Sequence, residues 1–154
     1  SGEITFEASV PSFEEVKANN KNVSAILKEN GEFASLALVN AFRFKVALMQ
    51  EHFNENYAES DKFPKTTFRG KIDGFSMDEL SETETTYNAV GVINLHGVDK
   101  NVDVPVQIKM VDGTILLTTE FILKPGDFNI EIPSIVSNKI AEEVNVSATY
   151  SLTK

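Results

Sequence analysis

The chain contains no cysteine and only two histidines among its 154 residues. Without cysteine it has no disulfides, no thiol nucleophile and no thiolate metal ligand, and its redox compartment stays open. Basic residues are also scarce, because 14 Lys and Arg stand against 23 Asp and Glu, for a formal net charge of −9. A chain of this charge repels phosphates, which argues against binding to nucleic acid or to an anionic membrane surface.

Long apolar runs are missing as well. No run approaches the ~18 residues that a membrane-spanning helix needs, so we expect no integral membrane segment and a soluble protein. Apolar residues make up 42% of the chain and charged residues 24%, which are ordinary globular values. The sequence shows no repeat and no long linker, which predicts a single domain over residues 1–154. Its first residues, SGEITFEAS, lack an initiator methionine, so we expect that a leader was removed.

What the sequence has in abundance is period-two alternation of apolar and polar residues, the pattern of strands with one buried face. The alternation covers these sets: Ile4 to Val10; Val23 to Val39 as a hairpin turning at Glu29, Asn30 and Gly31; Phe42, Phe44, Val46 and Leu48; Thr66 to Ile72; Tyr87 to Leu95; Val102 to Met110; Ile115 to Leu123; Phe128, Ile130 and Ile132; and Val144 to Leu152.

The connections between these strands are short, and helix is rare. We predict turns at HGVDKN (residues 96–101), at Asp112 and Gly113, and at KPGD (residues 124–127). MQEHFNENY (residues 49–57) loses the alternation and predicts a short helix or a pair of turns. About eight strands in sequential hairpins favour an all-β fold, an antiparallel up-and-down β-barrel, over a β-sandwich. Periodicity does not separate the two, because both bury alternate residues.

One stretch, LMQEHFNENYAESDKFP (residues 48–64), carries a histidine between carboxylates and raises the question of chemistry. Glu51, His52 and Glu55 could meet on one helical turn as a metal site or an acid/base pair. The simpler interpretation is a solvated helix face, since the H-E-x-x-H and G-x-S-x-G motifs are both absent. His96, directly before a glycine at a strand end, is more typical of a turn residue than of a ligand. We therefore predict no catalytic residue and no metal ligand.

The apolar interior suggests a different kind of function. Eleven phenylalanines and no tryptophan give bulky walls without the polar handle of an indole. For any single residue, packing in the core is the simpler role. Taken together, these walls would suit a long hydrocarbon with little to hydrogen-bond.

Two segments resemble a known family. GVINLHGVDKNVDVPV is similar to the signature hairpin of the YceI-like family, lipocalin-like barrels described as polyisoprenoid-binding. LMQEHFNENYAESDKFPKTTFRGKI resembles its other signature, a histidine followed by aromatics, an aromatic-proline pair and a strand opening on T-F. VSAILKENGEFASLAL and FILKPGDFNIEIP support the resemblance. Many members carry arginine and aspartate where this chain has Gln50 and Glu51, so a head-group contact made by that arginine is not carried over.

The resemblance implies a lipocalin-like barrel with a short helical insertion near residues 47–57 and a bound isoprenoid, isoprenoid quinone or fatty-acid derivative. It also implies a bacterial protein of the periplasm or a secreted one, with no cofactor beyond such a lipid. Barrels of this kind can form homodimers, although no residue pattern marks an interface. We expect the ligand to contact the following side chains, with His52 at the rim: Phe42, Phe44, Leu48, Met49, His52, Phe53, Phe63 and Phe68.

Two other functions stay open at this point. A β-sandwich or filled barrel without a ligand could serve as a protein-interaction module with acidic loops. A small hydrolase or isomerase could use His52 with Glu51 or Glu55.

Overall fold

The structure, a computed structural model, describes residues 1–9, 16–130 and 140–153. Strands dominate these ranges, with one short α-helix. The strands are β1 (Gly2–Ser9), β2 (Lys17–Leu27), β3 (Glu32–Leu38), β4 (Arg43–Phe44), β5 (Lys65–Asp73), β6 (Thr85–Leu95), β7 (Val98–Val111), β8 (Thr114–Leu123) and β9 (Ile140–Thr153). The helix α1 spans Ala47–His52, and a π-helical turn, Phe53–Tyr57, continues it.

The strands close into a barrel. The hydrogen-bonded order is β1-β9-β8-β7-β6-β5-β3-β2, and β1 also pairs with β2, so no edge is left open between them. Within the ranges described above, β4 pairs only with β2 and lies outside this ring, which leaves eight antiparallel strands in the barrel. The predicted up-and-down barrel is therefore confirmed, and the β-sandwich alternative is wrong.

The two ends of the barrel differ in how the strands are connected. At the closed end, β2 turns into β3 around Gly31 (φ 93°), and β7 turns into β8 at Asp112 (φ 49°) and Gly113 (φ 80°). Glycine adopts these left-handed conformations without a Cβ clash, which is why the predicted turns form where they do. At the open end lie α1, the turn between β6 and β7, and the 3₁₀ helix Pro125–Phe128 after β8.

Side chains fill the closed end. Ile72, Ile108 and Ile115 are each at most 1% exposed there. The connection between β5 and β6 folds over them, since Phe75, Met77 and Leu80 pack against the same cluster. Dense packing of this kind removes apolar surface from water and stabilises the barrel.

The helical insertion near residues 47–57 is confirmed, but the strand predicted before it is wrong. Only Arg43 and Phe44 form a strand, and the chain turns directly into α1. The backbone N–H of Phe44 donates to Oε1 of Gln50 at 3.1 Å, and the N–H of Gln50 donates to the Val46 carbonyl at 3.2 Å. These bonds satisfy the backbone locally, so Val46 and Leu48 do not continue a sheet ladder.

Two further boundaries differ from the predictions. The turn predicted over residues 96–101 is only His96 and Gly97, both at positive φ, and β7 begins at Val98. Phe128, predicted in a strand, ends the 3₁₀ helix that KPGD begins. Val10 and Ile132, predicted in strands, lie outside the described residues. Among the residues that are described, no helix is long and apolar enough to span a bilayer.

Candidate functional site

The open half of the barrel encloses a cavity of about 490 Å³. Its walls are the inward positions of the strands, and its lining extends inward to Phe33, Ser35 and Tyr150. Ile72, Ile108 and Ile115 of the closed end do not line it. The barrel interior is thus divided into a packed half and a hollow half, and Phe33, Ser35 and Tyr150 form the cavity floor.

Four phenylalanines cluster near the mouth of this cavity. The Phe6 ring of β1 lies 5.1 Å from Phe42, 5.7 Å from Phe44 and 5.3 Å from Phe53, measured between ring centroids. Phe53 also contacts Phe42 at 6.0 Å and Phe44 at 5.3 Å. Ring pairs at these separations add attraction beyond the area they bury. The cluster packs the helical insertion against the barrel and lines the cavity entrance with aromatic rings.

The helical insertion presents one face to the cavity. Met49, Phe53 and Tyr57 follow one another at spacings of four residues and all line it. Residues at this spacing share a helix face, which leaves the neighbouring positions outward. Leu48, predicted to contact a ligand, lies on the outward side with 59% of its surface exposed and does not line the cavity. The prediction followed from extending the strand pattern to residue 48, and the helix turns that side chain away.

His52 lies at the rim of the cavity. Its side chain lines the cavity, yet the residue is exposed to solvent. Glu51 and Glu55 are exposed as well. Within the described ranges, no group of three or more His, Cys, Asp or Glu residues could hold a metal ion. The structure therefore presents His52 as a polar group at the entrance, not as part of a carboxylate cluster.

Phe63, also predicted to contact a ligand, lies elsewhere. Its ring packs edge-on against the ring of His96, with centroids 4.7 Å apart, and does not line the cavity. It also fills the space beside Gly97, where an added Cβ would come within 2.6 Å of the Phe63 ring. Phe63 therefore supports the turn between β6 and β7.

His96 joins three segments of the open end. Its Nδ1 lies 2.8 Å from the carbonyl oxygen of Phe128, and its Nε2 lies 3.0 Å from Oε1 of Glu59. The Phe128 carbonyl and the Glu59 carboxylate are acceptors, so each bond needs a proton on the ring nitrogen that faces it. We call this arrangement of His96, Glu59 and Phe128 the His96 clasp. It ties the end of the helical insertion and the 3₁₀ helix to the β6–β7 turn.

Charge supports the same arrangement. Lys62 Nζ lies 3.1 Å from Oε2 of Glu59, and Lys100 pairs with Asp127 in the 3₁₀ helix. The hydrogen bond from His96, followed by that from Lys62, lowers the pKa of the Glu59 carboxyl below its ordinary value. His96 was predicted as a turn residue, and that prediction is confirmed, but the clasp itself depends on residues 37 and 32 positions away in the chain.

Few polar side chains reach the cavity. The hydroxyls of Ser35 and Tyr150 lie 2.8 Å apart at the floor. Burial raises the pKa of the Tyr150 hydroxyl above its ordinary value, and the bond to Ser35 partly offsets this. Thr119 donates to the Pro105 carbonyl at 2.6 Å, and Thr66 donates to the Asn94 carbonyl at 2.8 Å. The cavity is therefore an apolar container with a few fixed hydroxyl groups.

Six of the eight predicted ligand contacts lie on the cavity wall: Phe42, Phe44, Met49, His52, Phe53 and Phe68. Sequence reasoning missed much of the remaining wall, including Ile4, Phe6, Phe121, Leu123, Ile130 and Val144. The period-two pattern placed most of these side chains inside the barrel. It contained no signal for where the packed half ends and the hollow half begins.

A closed antiparallel barrel with an apolar cavity under a helical insertion defines the class of this protein, and comparison with known proteins identifies its family. The family model of the YceI-like domain matches residues 1–152, so the chain belongs to this family. No curated protein matches the chain significantly in sequence.

Three solved structures share the fold. BcnA of Burkholderia cenocepacia is 18% identical, with a TM-score of 0.82 over 99% of this chain and 96% of that one. A polyisoprenoid binding domain from Saccharophagus degradans, implicated in plant cell wall breakdown, is 15% identical, with a TM-score of 0.85 over 99% and 94%. A Campylobacter jejuni YceI protein is 15% identical, with a TM-score of 0.74 over 94% and 88%.

Proposed function

We propose that this protein binds a long apolar amphiphile inside the barrel, an isoprenoid, an isoprenoid quinone or a fatty-acid derivative, and that it does so without catalysis. The observation that carries the proposal is the cavity of about 490 Å³ behind an aromatic entrance. Family membership and the likeness to a polyisoprenoid binding domain support it. A barrel filled by side chains, the alternative without a ligand, does not agree with the hollow half.

The free energy of burying apolar surface favours a hydrocarbon ligand in this cavity. Removing apolar surface from water contributes about 25 cal/mol per Å², so several hundred Å² of buried chain can outweigh the cost of association. The volume of the cavity, about 490 Å³, limits how much of a hydrocarbon chain the barrel can enclose. A longer chain would extend past His52 at the rim. Export to the periplasm or secretion stays a prediction from the family resemblance.

Filling the cavity from within tests the proposal. Ala148 is 5% exposed and lines the cavity, so Ala148→Phe would place a ring in the ligand's space. Ala34 on β3 is exposed, and Ala34→Phe adds the same ring outside the barrel. We expect native mass spectrometry and organic extraction to find a bound amphiphile in the wild type and in Ala34→Phe, but not in Ala148→Phe.

A melting curve shows whether Ala148→Phe is folded. Retention of the same lipid by a folded Ala148→Phe variant, or absence of any bound or bindable amphiphile in the wild type, would contradict the proposal. Turnover that depends on His52, Glu51 or Glu55 would contradict its non-enzymatic part.

A further inference from the structure

The hydroxyls of Ser35 and Tyr150 meet across the interior of the barrel. Ser35 belongs to β3 and Tyr150 to β9, strands that do not pair with one another. The two residues are 7% and 4% exposed, and their oxygens lie 2.8 Å apart. The Tyr150 ring is held edge-on against Phe33, with ring centroids 5.2 Å apart. The pair is therefore a fixed polar point on the floor of an otherwise apolar cavity.

The Ser35–Tyr150 pair has one more O–H donor than the hydrogen bond between its two hydroxyls uses. Two hydroxyls carry two O–H groups, and a single bond between them uses one. In the part of the chain that the structure describes, neither hydroxyl has another hydrogen-bond partner. Thr119 and Thr66 differ, since each donates its hydroxyl proton to a backbone carbonyl. The Ser35–Tyr150 pair thus keeps a donor that these threonines have already used.

A buried donor without an acceptor costs free energy. Phe33, which packs against the Tyr150 ring, and Leu117, the Cα partner of Tyr150 on β8, are apolar and offer no acceptor. A ligand oxygen at the floor would satisfy it. The lining also limits the charge of that ligand group, since the described residues that line the cavity include no Lys or Arg, and a carboxylate or phosphate at the floor would be buried without a cation.

We propose that the ligand carries a neutral hydrogen-bond acceptor, a carbonyl or hydroxyl oxygen, at the end that enters the barrel, and that the Ser35–Tyr150 pair donates to it. The hydrocarbon chain then runs outward through the aromatic entrance. This rests on the proposed function, and it adds the direction of the ligand and the chemistry of its buried end.

Two probes of equal length separate this inference from simple apolar binding. Tridecan-2-one, labelled with ¹³C at its carbonyl, has the acceptor, and tridecane lacks it. Their affinities are measured by displacement of the neutral fluorophore N-phenyl-1-naphthylamine. Infrared difference spectra report whether the labelled carbonyl of the bound ketone is hydrogen-bonded, because its stretching frequency then falls below the value in hexane.

We expect the wild type to prefer the ketone by about 2- to 10-fold, the worth of one neutral hydrogen bond, and to lower the carbonyl frequency. Ser35→Ala and Tyr150→Phe each leave one hydroxyl free to donate, so each should keep most of the preference. The double variant should lose both the preference and the shift. Ser24→Ala, which removes an exposed hydroxyl of β2 that does not line the cavity, should keep both.

A hexane-like carbonyl frequency in the wild type would overturn this inference while leaving apolar binding intact. Failure of fluorophore and both probes to bind would instead contradict the proposed function. If the double variant does not fold, the two single variants decide. The donor is Tyr150 in Ser35→Ala and Ser35 in Tyr150→Phe, so the two variants should differ in carbonyl frequency, and identical frequencies in both would place the oxygen elsewhere and overturn the inference.

Discussion

The closed end and the open end of this barrel are built from the same alternating strands, yet only one of them is filled. At the closed end, Phe75, Met77 and Leu80 from a strand connection pack onto Ile72 and its neighbours. At the open end, the helical insertion and the 3₁₀ helix lie over the mouth and are joined by the His96 clasp. The connections between the strands, more than the strands themselves, therefore decide which half of the barrel is packed core and which half is cavity.

The largest difference in stability is expected between truncation of an isoleucine at the closed end and truncation of one at the open end. Ile115 is 1% exposed in the packed half, so Ile115→Ala should lower the free energy of unfolding by about 2–5 kcal/mol. Ile130 lines the cavity and is half-buried, so Ile130→Ala should cost only about 1 kcal/mol because fewer contacts are lost. Urea unfolding measures both. Equal losses would mean that the two halves are packed alike.

Glycines in the two opposite turns offer a second contrast. Alanine at Gly97 (φ 71°) or at Gly113 (φ 80°) pays about 1–2 kcal/mol for the left-handed backbone. Only at Gly97 would the new Cβ also meet a side chain, the Phe63 ring at 2.6 Å, whereas nothing lies within 4 Å at Gly113. We expect Gly97→Ala to lose about 1–3 kcal/mol more than Gly113→Ala. Comparable melting temperatures for the two variants would refute the packing role given to Phe63.

Low pH should destabilise both ends of the barrel. Only the change at the open end should affect ligand retention. The pKa of Glu59 is lowered by His96 and Lys62, and that of Glu32 by Lys28 and Asn30 near the closed end. A lowered folded-state pKa contributes stability that is present above the unfolded-state value, about 4.3, and is lost as pH falls through the folded-state value. In Glu59→Gln and Glu32→Gln, melting temperature should depend less on pH below about 4.5.

The readout that separates these two variants is retention of N-phenyl-1-naphthylamine near neutral pH. Glu59→Gln removes the carboxylate of the His96 clasp and should release the fluorophore faster, whereas Glu32→Gln should leave its release unchanged. Unchanged release in Glu59→Gln would show that the clasp has no influence on the cavity mouth.

The smallest effect is expected at Leu48, on the outward face of α1. Leu48→Gln should change the free energy of unfolding by no more than about 0.5 kcal/mol and leave fluorophore affinity as in the wild type, because the side chain is 59% exposed. Met49→Gln, one residue further on, places a polar group in the cavity wall and should weaken binding. Titration with the fluorophore measures both affinities. A larger loss of affinity in Leu48→Gln than in Met49→Gln would contradict the orientation of α1 described above.

Much of the fold was predictable because its signals are local. Alternation placed inward residues such as Phe68 and Ile72, and the turn at Asp112 and Gly113 follows from glycine's freedom at positive φ. The insertion was predictable where alternation failed. The position of Leu48 was not, because Val46 and Leu48 continue the alternation into the start of α1 and resemble the end of a strand until the backbone bonds of Phe44 and Gln50 are known.

The sequence by itself determined that this chain builds an antiparallel β fold with an apolar interior and a helical interruption, since periodicity and turn chemistry act between near neighbours. Only the tertiary structure decided that β1 closes on β2, that the hollow half stops at Ser35 and Tyr150, and that His96 joins Glu59 to Phe128. These features depend on contacts between residues far apart in the chain. The spacing of residues along a sequence does not predict where two such side chains will meet.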